Sequence, residues 1–490
     1  MSQMFKTGPR AAAILCAMDT ANTTTPPGSG ALRQLADLPG PAGLPFLGNA
    51  LQVRPRTIHA DVEAMAQRYG PLFRFSIGRQ QALVVADATL VGGVLRDRPD
   101  GFRRPDVTAQ VSDELGGERG VFLAEGTAWR NQRKMVMQAF APHAIKAYFP
   151  LLARVGRRLQ SRWAQAAREG RPIALNADLK RFTVDVVAGL AFGEEINTIE
   201  HGDDVVQQQL ELIMEGTARR SLMPLPYWRY IKLPFDRKLE AAVAAMRKAT
   251  EGYIANARRR MQDDPSRVQH PQNMLEAMLA AADQEGSGID HGAVVGNVST
   301  MLLAGEDTTS SALAWLIWLL SRHPAALQRA QQEVRRMAPD AGAFTIEQMD
   351  RLEYIDACAH EAMRLKPPAP FLPLQTNRDC LVGDVQVPKD AIVWCVLRHD
   401  SVSESRLNNA AQFDPQRWLD GSSARQLAMP FGSGPRLCPG RYLSLLEIKV
   451  AMACLLGRFD LVAVEGDSEE YHRFVMAPGA LTMRLSPAAG

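Results

Sequence analysis

The chain has 490 residues, of which 46% are hydrophobic, so it is large enough to bury a substantial core in one domain or several. The formal net charge of +3 is too small to indicate that the chain binds nucleic acid. It does not exclude a local basic patch that binds an acidic protein partner. The six cysteines form no C-x-x-C pair, which disfavours zinc and disulfide frameworks and favours a reducing, cytoplasmic location.

Residues 1–37 are predicted to form a flexible N-terminal segment. Lys6 and Arg10 precede an apolar run over residues 11–18, which is too short to span a bilayer and marginal for a signal peptide. Met18 is an alternative start, so whether residues 1–17 belong to the natural protein stays open. Residues 19–37 are rich in Thr, Pro, Gly and Ser, and residues 38–49 hold prolines and glycines that oppose regular structure. No segment of the chain predicts a membrane span.

The segments that follow predict a mixture of strand, loop and helix. Residues 71–95 contain two alternating apolar runs, which predict a β-hairpin followed by a helix. Residues 99–120 are polar and contain several glycines, which predicts a long mobile loop. Trp129 and Arg133 are four residues apart and share a helix face, although this spacing alone suits a solvated basic helix equally well. Residues 143–285 predict amphipathic helices without evident chemistry.

A long helix is predicted between Asp290, its N-cap, and Arg322. Such a helix spans roughly 48 Å and crosses a whole domain. Polar residues interrupt its apolar middle over residues 304–309, where Gly305 and a back-bonding Thr308 hydroxyl favour a bend. On its own, this sextet is also explained by a generic polar kink.

The second half of the chain carries a charged pair and a small sheet. Thr345 begins a capping box with Gln348. Glu361 and Arg364 are three residues apart on one face of a helix that must end before Pro367. Such a pair alone is usually a solvated surface contact. Short alternating runs over residues 371–397 predict a small sheet, and residues 478–485 predict a final hairpin.

Residues 431–440, with the sequence FGSGPRLCPG, place a cysteine in a glycine-rich loop before an apolar helix. Gly432 and Gly434 permit turns closed to other residues, and Pro439 suits the first turn of a helix. The helix N-terminus is expected to favour the thiolate form of Cys438, which suits a soft metal ligand or a nucleophile. A buried structural cysteine is the alternative. A phosphate-binding loop would need a Lys-Ser/Thr ending, which is absent.

The pattern F-x-x-G-x-R-x-C-x-G in this loop resembles the haem-ligand loop of the cytochrome P450 family. Four other features resemble that family in the expected order: the proline-rich residues 38–49, W-x-x-x-R from Trp129, A-G-x-D/E-T-T over residues 304–309, and E-x-x-R from Glu361. The resemblance covers residues 38–490. It implies a mainly α fold with a small β region, the cytochrome P450 fold, as one haem domain.

The resemblance also implies roles for individual residues. Cys438 would be the thiolate ligand to the iron of haem b, and Asp307 and Thr308 would deliver protons. The remaining implied roles are haem binding by Trp129, Arg133, Phe431, Gly434, Arg436 and Gly440, a structural triad of Glu361, Arg364 and Arg417, and a substrate pocket lined by Phe102, Val111, Ala304, Phe371, Leu372 and Ala480.

The implied activity is insertion of one oxygen atom of O₂ into a lipophilic substrate. Electrons would come from separate partners, either a ferredoxin with its reductase or a flavoprotein, docking on a basic face that includes Arg130, Lys134 and Arg441. A haem-thiolate peroxygenase or dehydratase is one alternative, and a non-catalytic haem sensor or carrier is another. The pair Asp307 and Thr308 argues against the first alternative, because such enzymes need no proton delivery linked to dioxygen.

One position departs from the family's pattern. Many members carry an arginine that reaches a haem propionate at the end of the stretch P-P-x-P-x-x-P-R, and this chain has Leu374 there. Trp129, Arg133 and Arg436 are therefore expected to hold the propionates. Arg378 is a candidate substitute, since residues an even number apart share one face of a strand.

Overall fold

The computed structural model of the chain describes residues 32–488, apart from residues 79, 203–204, 224 and 341–342. The helices found there are α1 Ile58–Tyr69, α2 Ala88–Arg96, α3 Asp106–Glu114, α4 Gly126–Ala139, α5 Pro142–Arg168, α6 Leu175–Phe192, α7 Thr198–His201, α8 Val205–Leu222, α9 Pro234–Asp263, α10 Ser266–Gln269, α11 Met274–Ala282, α12 His291–Arg322, α13 Pro324–Met337, α14 Ile346–Asp350, α15 Glu353–Leu365, α16 Gln416–Leu419, α17 Ala424–Leu427 and α18 Arg441–Leu456. The strands are β1 Arg33–Gln34, β2 Leu72–Ile77, β3 Gln80–Val85, β4 Phe102–Arg103, β5 Ile173–Ala174, β6 Phe371–Thr376, β7 Cys380–Val382, β8 Val385–Val387, β9 Ile392–Val396, β10 Phe459–Gly466, β11 Glu470–His472, β12 Met476–Pro478 and β13 Leu481–Pro487. The predicted mainly helical architecture with a small β region is confirmed.

The largest sheet has the strand order β2-β3-β9-β6-β4. The predicted hairpin is its β2–β3 pair, and β9 adds parallel to β3. The two faces of this sheet carry separate apolar clusters: Leu374 and Val393 lie in one with residues of α2, whereas Val84 and Trp394 lie in the other with residues of α1. Successive residues of β6 and β9 therefore face different parts of the molecule.

The central element is α12, which begins after Asp290 and ends at Arg322 as the sequence predicts. The Asp290 carboxylate accepts the backbone N–H of Ala293 at 2.7 Å, which satisfies an otherwise free donor of the first turn. The helix packs against α6, α15 and α18, so its polar middle lies at the centre of the fold. In the described part of the chain, no helix has both the length and the apolar composition needed to cross a membrane.

Two segments predicted to be irregular are ordered. Arg33 and Gln34 form β1, paired with β8, although composition placed them in the flexible N-terminal segment, of which residues 1–31 lie outside the described residues. The predicted loop at 99–120 contains β4 and α3. In α3, Val111 is the buried residue, so the sequence of this helix shows no apolar stripe. The helix packs against α8, and the local sequence pattern does not encode this contact between distant segments.

Candidate active site

The loop before α18 is held as a tight turn around Cys438. The backbone N–H of Cys438 donates to the carbonyl of Phe431 at 3.0 Å, which closes the loop on itself. Gly432 and Gly434 have φ values of 74° and 71°, in the left-handed region that favours glycine. Gly440 is the N-cap of α18, with an ordinary φ of −82°. The turn therefore places the Cys438 sulfur beside the Gly440 backbone N–H at the start of α18.

Gly434 provides a test of this loop because a side chain there would meet the end of α2. An added Cβ would lie 2.7 Å from both the Leu95 carbonyl oxygen and the Arg96 Cα, whereas one at Gly432 would meet nothing within 4 Å. We expect Gly432→Ala to cost only the strain of a positive φ, about 1–2 kcal/mol. We expect Gly434→Ala to cost about 3 kcal/mol or more and to lower haem retention, because backbone must also move. Thermal unfolding and haem content of the two variants measure this; equal losses would contradict it.

The Cys438 side chain has solvent-accessible surface, although protein surrounds the loop. Burial raises the pKa of the thiol, and the Gly440 backbone N–H, Arg133 and Arg441 offset this only in part. The Gly440 backbone N–H at the helix N-terminus lowers the pKa as expected, but desolvation has the larger and opposite effect. A coordinated metal ion is what deprotonates such a thiol.

The polar middle of α12 lies on two sides of that helix. The Thr308 hydroxyl donates to the Ala304 carbonyl at 2.7 Å, as predicted, and α12 is helical through this stretch. Ala304 is exposed although it lies mid-helix, so this side borders an internal opening. Asp307 points elsewhere, with its carboxylate 3.2 Å from the Lys180 ammonium of α6. Asp307 and Thr308 are thus adjacent in the chain, but each has a different partner.

Two features of this region were not found from the sequence. Lys180 belongs to a stretch in which no chemistry was predicted, and Asp307 and Glu211 raise its pKa despite the opposing effect of burial. Glu306 is buried and its carboxyl oxygens have no hydrogen-bond partner. Burial, with the neighbouring Asp307 charge, raises the pKa of Glu306 to about 9, so it is a neutral acid near pH 7.

The residues expected at the haem propionates lie together beside the cysteine loop. The Arg436 guanidinium carbon is 4.7 Å from the centroid of the Trp129 ring. Arg133 donates to the Leu437 carbonyl at 2.7 Å, which fixes α4 against the loop. Arg436 also donates to the Ala124 carbonyl at 2.7 Å, while its Nε is buried without a partner.

Two further arginines, Arg98 and Arg104, accompany this group. Sequence reasoning passed over both, although R-P and R-R-P occur at residues 98–99 and 103–105. The Nε and Nη2 of Arg98 and the Nε of Arg104 are buried without partners. Burial, followed by repulsion from Arg436, lowers the pKa of Arg98 to about 10. Glu125 is the carboxylate beside these cations.

Arg378 does not join them. It lies beyond the end of β6, so strand alternation from Leu374 does not extend to it. Its guanidinium forms an exposed ion pair with Asp97 at 3.0 Å. The proposed substitution of Arg378 for the missing arginine at Leu374 is therefore wrong.

The structure brings Glu361, Arg364 and Arg417 together in the interior. Arg364 donates to both Glu361 oxygens at 2.7 and 2.8 Å, and Arg417 donates at 3.2 Å. The Trp418 indole N–H and the Asp414 backbone N–H add hydrogen bonds of 2.9 and 3.0 Å. This carboxylate therefore ties α15 to the segment preceding the cysteine loop.

The suggested pocket residues do not form one surface. Phe371 and Leu372 pack on opposite faces of the large sheet, so they cannot line the same pocket. Phe102 lies in the apolar cluster of one face, and Val111 is buried on α3. Ala480 lies with Asp307 on a cleft of about 390 Å³ between α6, α12 and the β11–β12 region.

Comparison with known proteins identifies the family. The family profile described as Cytochrome P450 matches residues 38–483. The chloroplastic protein LUTEIN DEFICIENT 5 of Arabidopsis thaliana is 24% identical over 90% of this chain and 73% of its own length. A self-sufficient cytochrome P450 monooxygenase of Aspergillus niger is 27% identical over 87% of this chain, which spans 40% of that enzyme. A crystal structure of the cytochrome P450DA haem domain has a TM-score of 0.82, with 23% identity over 94% of this chain and 99% of that one.

The chain belongs to the cytochrome P450 family, and it is an oxidoreductase of the monooxygenase type with a haem iron cofactor. The residues present fit such a cofactor. Cys438 offers a thiol that could serve as the sulfur ligand, and partnerless guanidinium N–H groups of Arg98, Arg104 and Arg436 are the donors that carboxylates require. Among the described residues, no protein carboxylate accepts a hydrogen bond from these N–H groups.

Proposed function

We propose that this protein is a haem-thiolate monooxygenase that uses haem b and inserts one oxygen atom of O₂ into a lipophilic organic substrate. The second oxygen atom leaves as water, with two electrons and two protons consumed. The observation that carries this proposal is the arrangement of Cys438 and α12. The Cys438 loop leads directly into α18, and α18 contacts α12 through Ser444 and Thr309 at 3.2 Å.

Haem iron held by a cysteine thiolate supplies dioxygen activation, because the ligand's electron density favours O–O cleavage. The protein's own residues would hold the haem in position and deliver protons to the bound dioxygen. Cys438 is the proposed ligand, and Trp129, Arg133 and Arg436 orient the propionates. The Thr308 hydroxyl is proposed to pass protons. Asp307 and its ion-paired Lys180 line the cleft beside Ala480, which we propose as the side from which protons enter.

The electron donor is proposed to be a separate protein, a ferredoxin or a flavoprotein, docking on the basic side near the cysteine loop. Arg130, Lys134 and Arg441 are exposed there. A groove of about 850 Å³ on this side contains further cations, namely Arg96, Arg406, Arg425 and Lys449, together with Asp350, Glu353 and Asp356. An acidic donor surface complements the excess of cations, and its association should weaken as salt rises.

One assay separates the proposal from its alternatives. We would supply NADPH and a surrogate ferredoxin with its reductase and measure dioxygen consumption and product in the presence of candidate substrates. A monooxygenase consumes dioxygen and forms oxygenated product in proportion. Product formed only with added peroxide indicates a peroxygenase, product without either oxidant indicates a dehydratase, and binding without turnover indicates a sensor or carrier. Substrates for the assay come from a screen of lipophilic compounds by shift of the haem Soret band.

Thr308 is the residue whose loss should change coupling most. We expect Thr308→Ala to retain haem reduction and dioxygen uptake but to lower product formed per electron pair by about 10²-fold, the lower end of the range for a positioned proton donor.

Thr300→Ala is the matched control for Thr308→Ala. Thr300 makes the same hydrogen bond, to the carbonyl of Gly296 at 2.7 Å, two turns earlier in α12. Equal coupling in the two variants would show that only the helix, and no proton path, depends on Thr308.

We also propose the reducing cytoplasm as the location, on the basis of cysteine usage. Two of its relatives are chloroplastic, so an organelle is the alternative. Fractionation of cells that express the native gene decides between the two.

A further inference from the structure

The hairpin of β11 and β12 ends in a short turn around Phe474, which lies between two parts of the candidate site. On one side, the Phe474 ring is 6.1 Å from the ring of Phe122, over which the Arg104 guanidinium stacks at 3.8 Å. On the other side, Val475 lines the cleft that contains Asp307, and β12 contacts α12. The turn therefore extends from the arginines beside the cysteine loop to the polar middle of α12.

The backbone of this hairpin provides little support for the turn. The two strands form a separate two-stranded sheet with three residues in each strand. A ribbon of this size is marginally stable at best in water. The Met476 backbone N–H donates to the Pro368 carbonyl at 2.8 Å, which ties β12 to the segment after α15. The position of β11 therefore depends on its side chains.

Glu470, the first residue of β11, joins the hairpin to three other segments. The Nε2 of His59, on α1, lies 2.9 Å from one Glu470 oxygen. Arg398, which follows β9, donates to the other oxygen at 2.8 Å, and Lys366, which follows α15, donates to that same oxygen. The Glu470 side chain is 18% exposed and that of His59 is fully buried. Bases from three elements therefore converge on one carboxylate of the hairpin.

These contacts keep the Glu470 carboxylate ionised. Burial opposes its charged form, but the hydrogen bonds from His59 and Arg398 outweigh burial and hold the pKa of this carboxyl well below its usual range. Arg398 also donates to both oxygens of Glu63, on α1, at 2.9 and 2.6 Å. One arginine is thus shared between a carboxylate of the hairpin and a carboxylate that does not touch the hairpin.

We propose that Glu470 is a positioning residue, which holds the turn around Phe474 in place so that Phe474 and Val475 form a fixed apolar wall for the substrate. Glu470 acts through the turn and does not touch substrate itself. This role rests on the proposed function, since the wall borders substrate only if the protein is a monooxygenase of lipophilic molecules. A wall held by charged hydrogen bonds limits which substrate atom is presented, and small errors in such placement are costly to the reaction.

Two ligands of ferric haem that differ in length test the inference. Imidazole occupies the space next to the iron, whereas the phenyl ring of 4-phenylimidazole extends from it into substrate space. Each is titrated into the full-length, haem-loaded protein, and its dissociation constant is read from the shift of the Soret band. We expect Glu470→Gln to weaken 4-phenylimidazole about 10-fold, because the ligand must then order a loosened wall, and to leave imidazole unchanged.

Glu63→Gln is the matched control. It removes a carboxylate from the same arginine, but it leaves all three contacts of Glu470 in place, so the ratio of the two dissociation constants should stay at the parent value. If Glu470→Gln does not retain haem, Lys366→Met removes one of the three bases and should change the ratio in the same direction by less. Hydrogen exchange over residues 470–478 should rise in the Glu470 and Lys366 variants and stay unchanged in Glu63→Gln.

Four outcomes would overturn this role of Glu470. Equal weakening of both ligands would mean a general loosening of the haem site, and no change in either would mean that the turn is held without Glu470. Tighter binding of 4-phenylimidazole would mean that the turn obstructs the space, and an equal effect of Glu63→Gln would assign the effect to Arg398. A parent protein without a thiolate spectrum would instead refute the proposed function, while hydrogen exchange would still show whether Glu470 holds the hairpin.

Discussion

Replacing Cys438 with serine is expected to abolish dioxygen-dependent product formation and the thiolate signature of the bound haem. The structure offers Cys438 as the sulfur of the loop that leads into α18, and its thiol faces accessible space instead of packing as a core side chain. An alcohol at the same place is a poor ligand and donates far less electron density than a thiolate. Electron paramagnetic resonance of the ferric protein and product formation report the two losses.

Cys380→Ser is the matched control for Cys438→Ser. Cys380 is partly exposed on β7, remote in sequence from the loop, so serine is tolerated there. The control should keep the thiolate spectrum. A Cys438→Ser protein that also kept it would place the ligand elsewhere.

Replacing Glu361 with glutamine is expected to destabilise the fold by about 3–5 kcal/mol, the range for removing one partner of a buried ion pair. Glu361, Arg364 and Arg417 are all buried, and the neutral amide would leave two guanidinium groups without a counter-charge. Arg417 also donates to the carbonyl oxygens of Asn408 and Asn409 at 2.9 and 2.7 Å. The segment that precedes the cysteine loop should therefore loosen, and haem content should fall.

Urea unfolding and haem content measure the Glu361 effect, with Glu353→Gln as control. Glu353 begins the same helix but is exposed, so its loss should cost less than about 1 kcal/mol. Equal stability of the two variants would contradict a structural role for the buried carboxylate.

The elements that the sequence predicts well are those fixed by local chemistry. The start of α12 follows from the Asp290 cap, and the Cys438 turn follows from glycines at positive φ. The capping box at Thr345 is present for the same reason. The burial of the Glu361–Arg364 pair could be predicted only from the resemblance to the P450 family. The spacing of the two residues alone does not distinguish a buried ion pair from a solvated one.

The features that the sequence did not predict depend on distant contacts. Lys180 meets Asp307 only because α6 packs against α12. Arg98, Arg104 and Arg436 belong to separate segments and come close only in the folded chain, so no local pattern encodes their proximity. The helix terminus lowers the pKa of the Cys438 thiol as expected, but burial of the loop, a property of the whole fold, outweighs it.

The carbon monoxide spectrum of the dithionite-reduced, haem-loaded protein tests the central claim most directly. Thiolate ligation by Cys438 predicts the strongly red-shifted Soret band that gives this family its name, in the parent protein and in Cys380→Ser, and no such band in Cys438→Ser. A parent protein whose reduced carbon monoxide complex shows only the unshifted band of nitrogen-ligated haem would contradict the account.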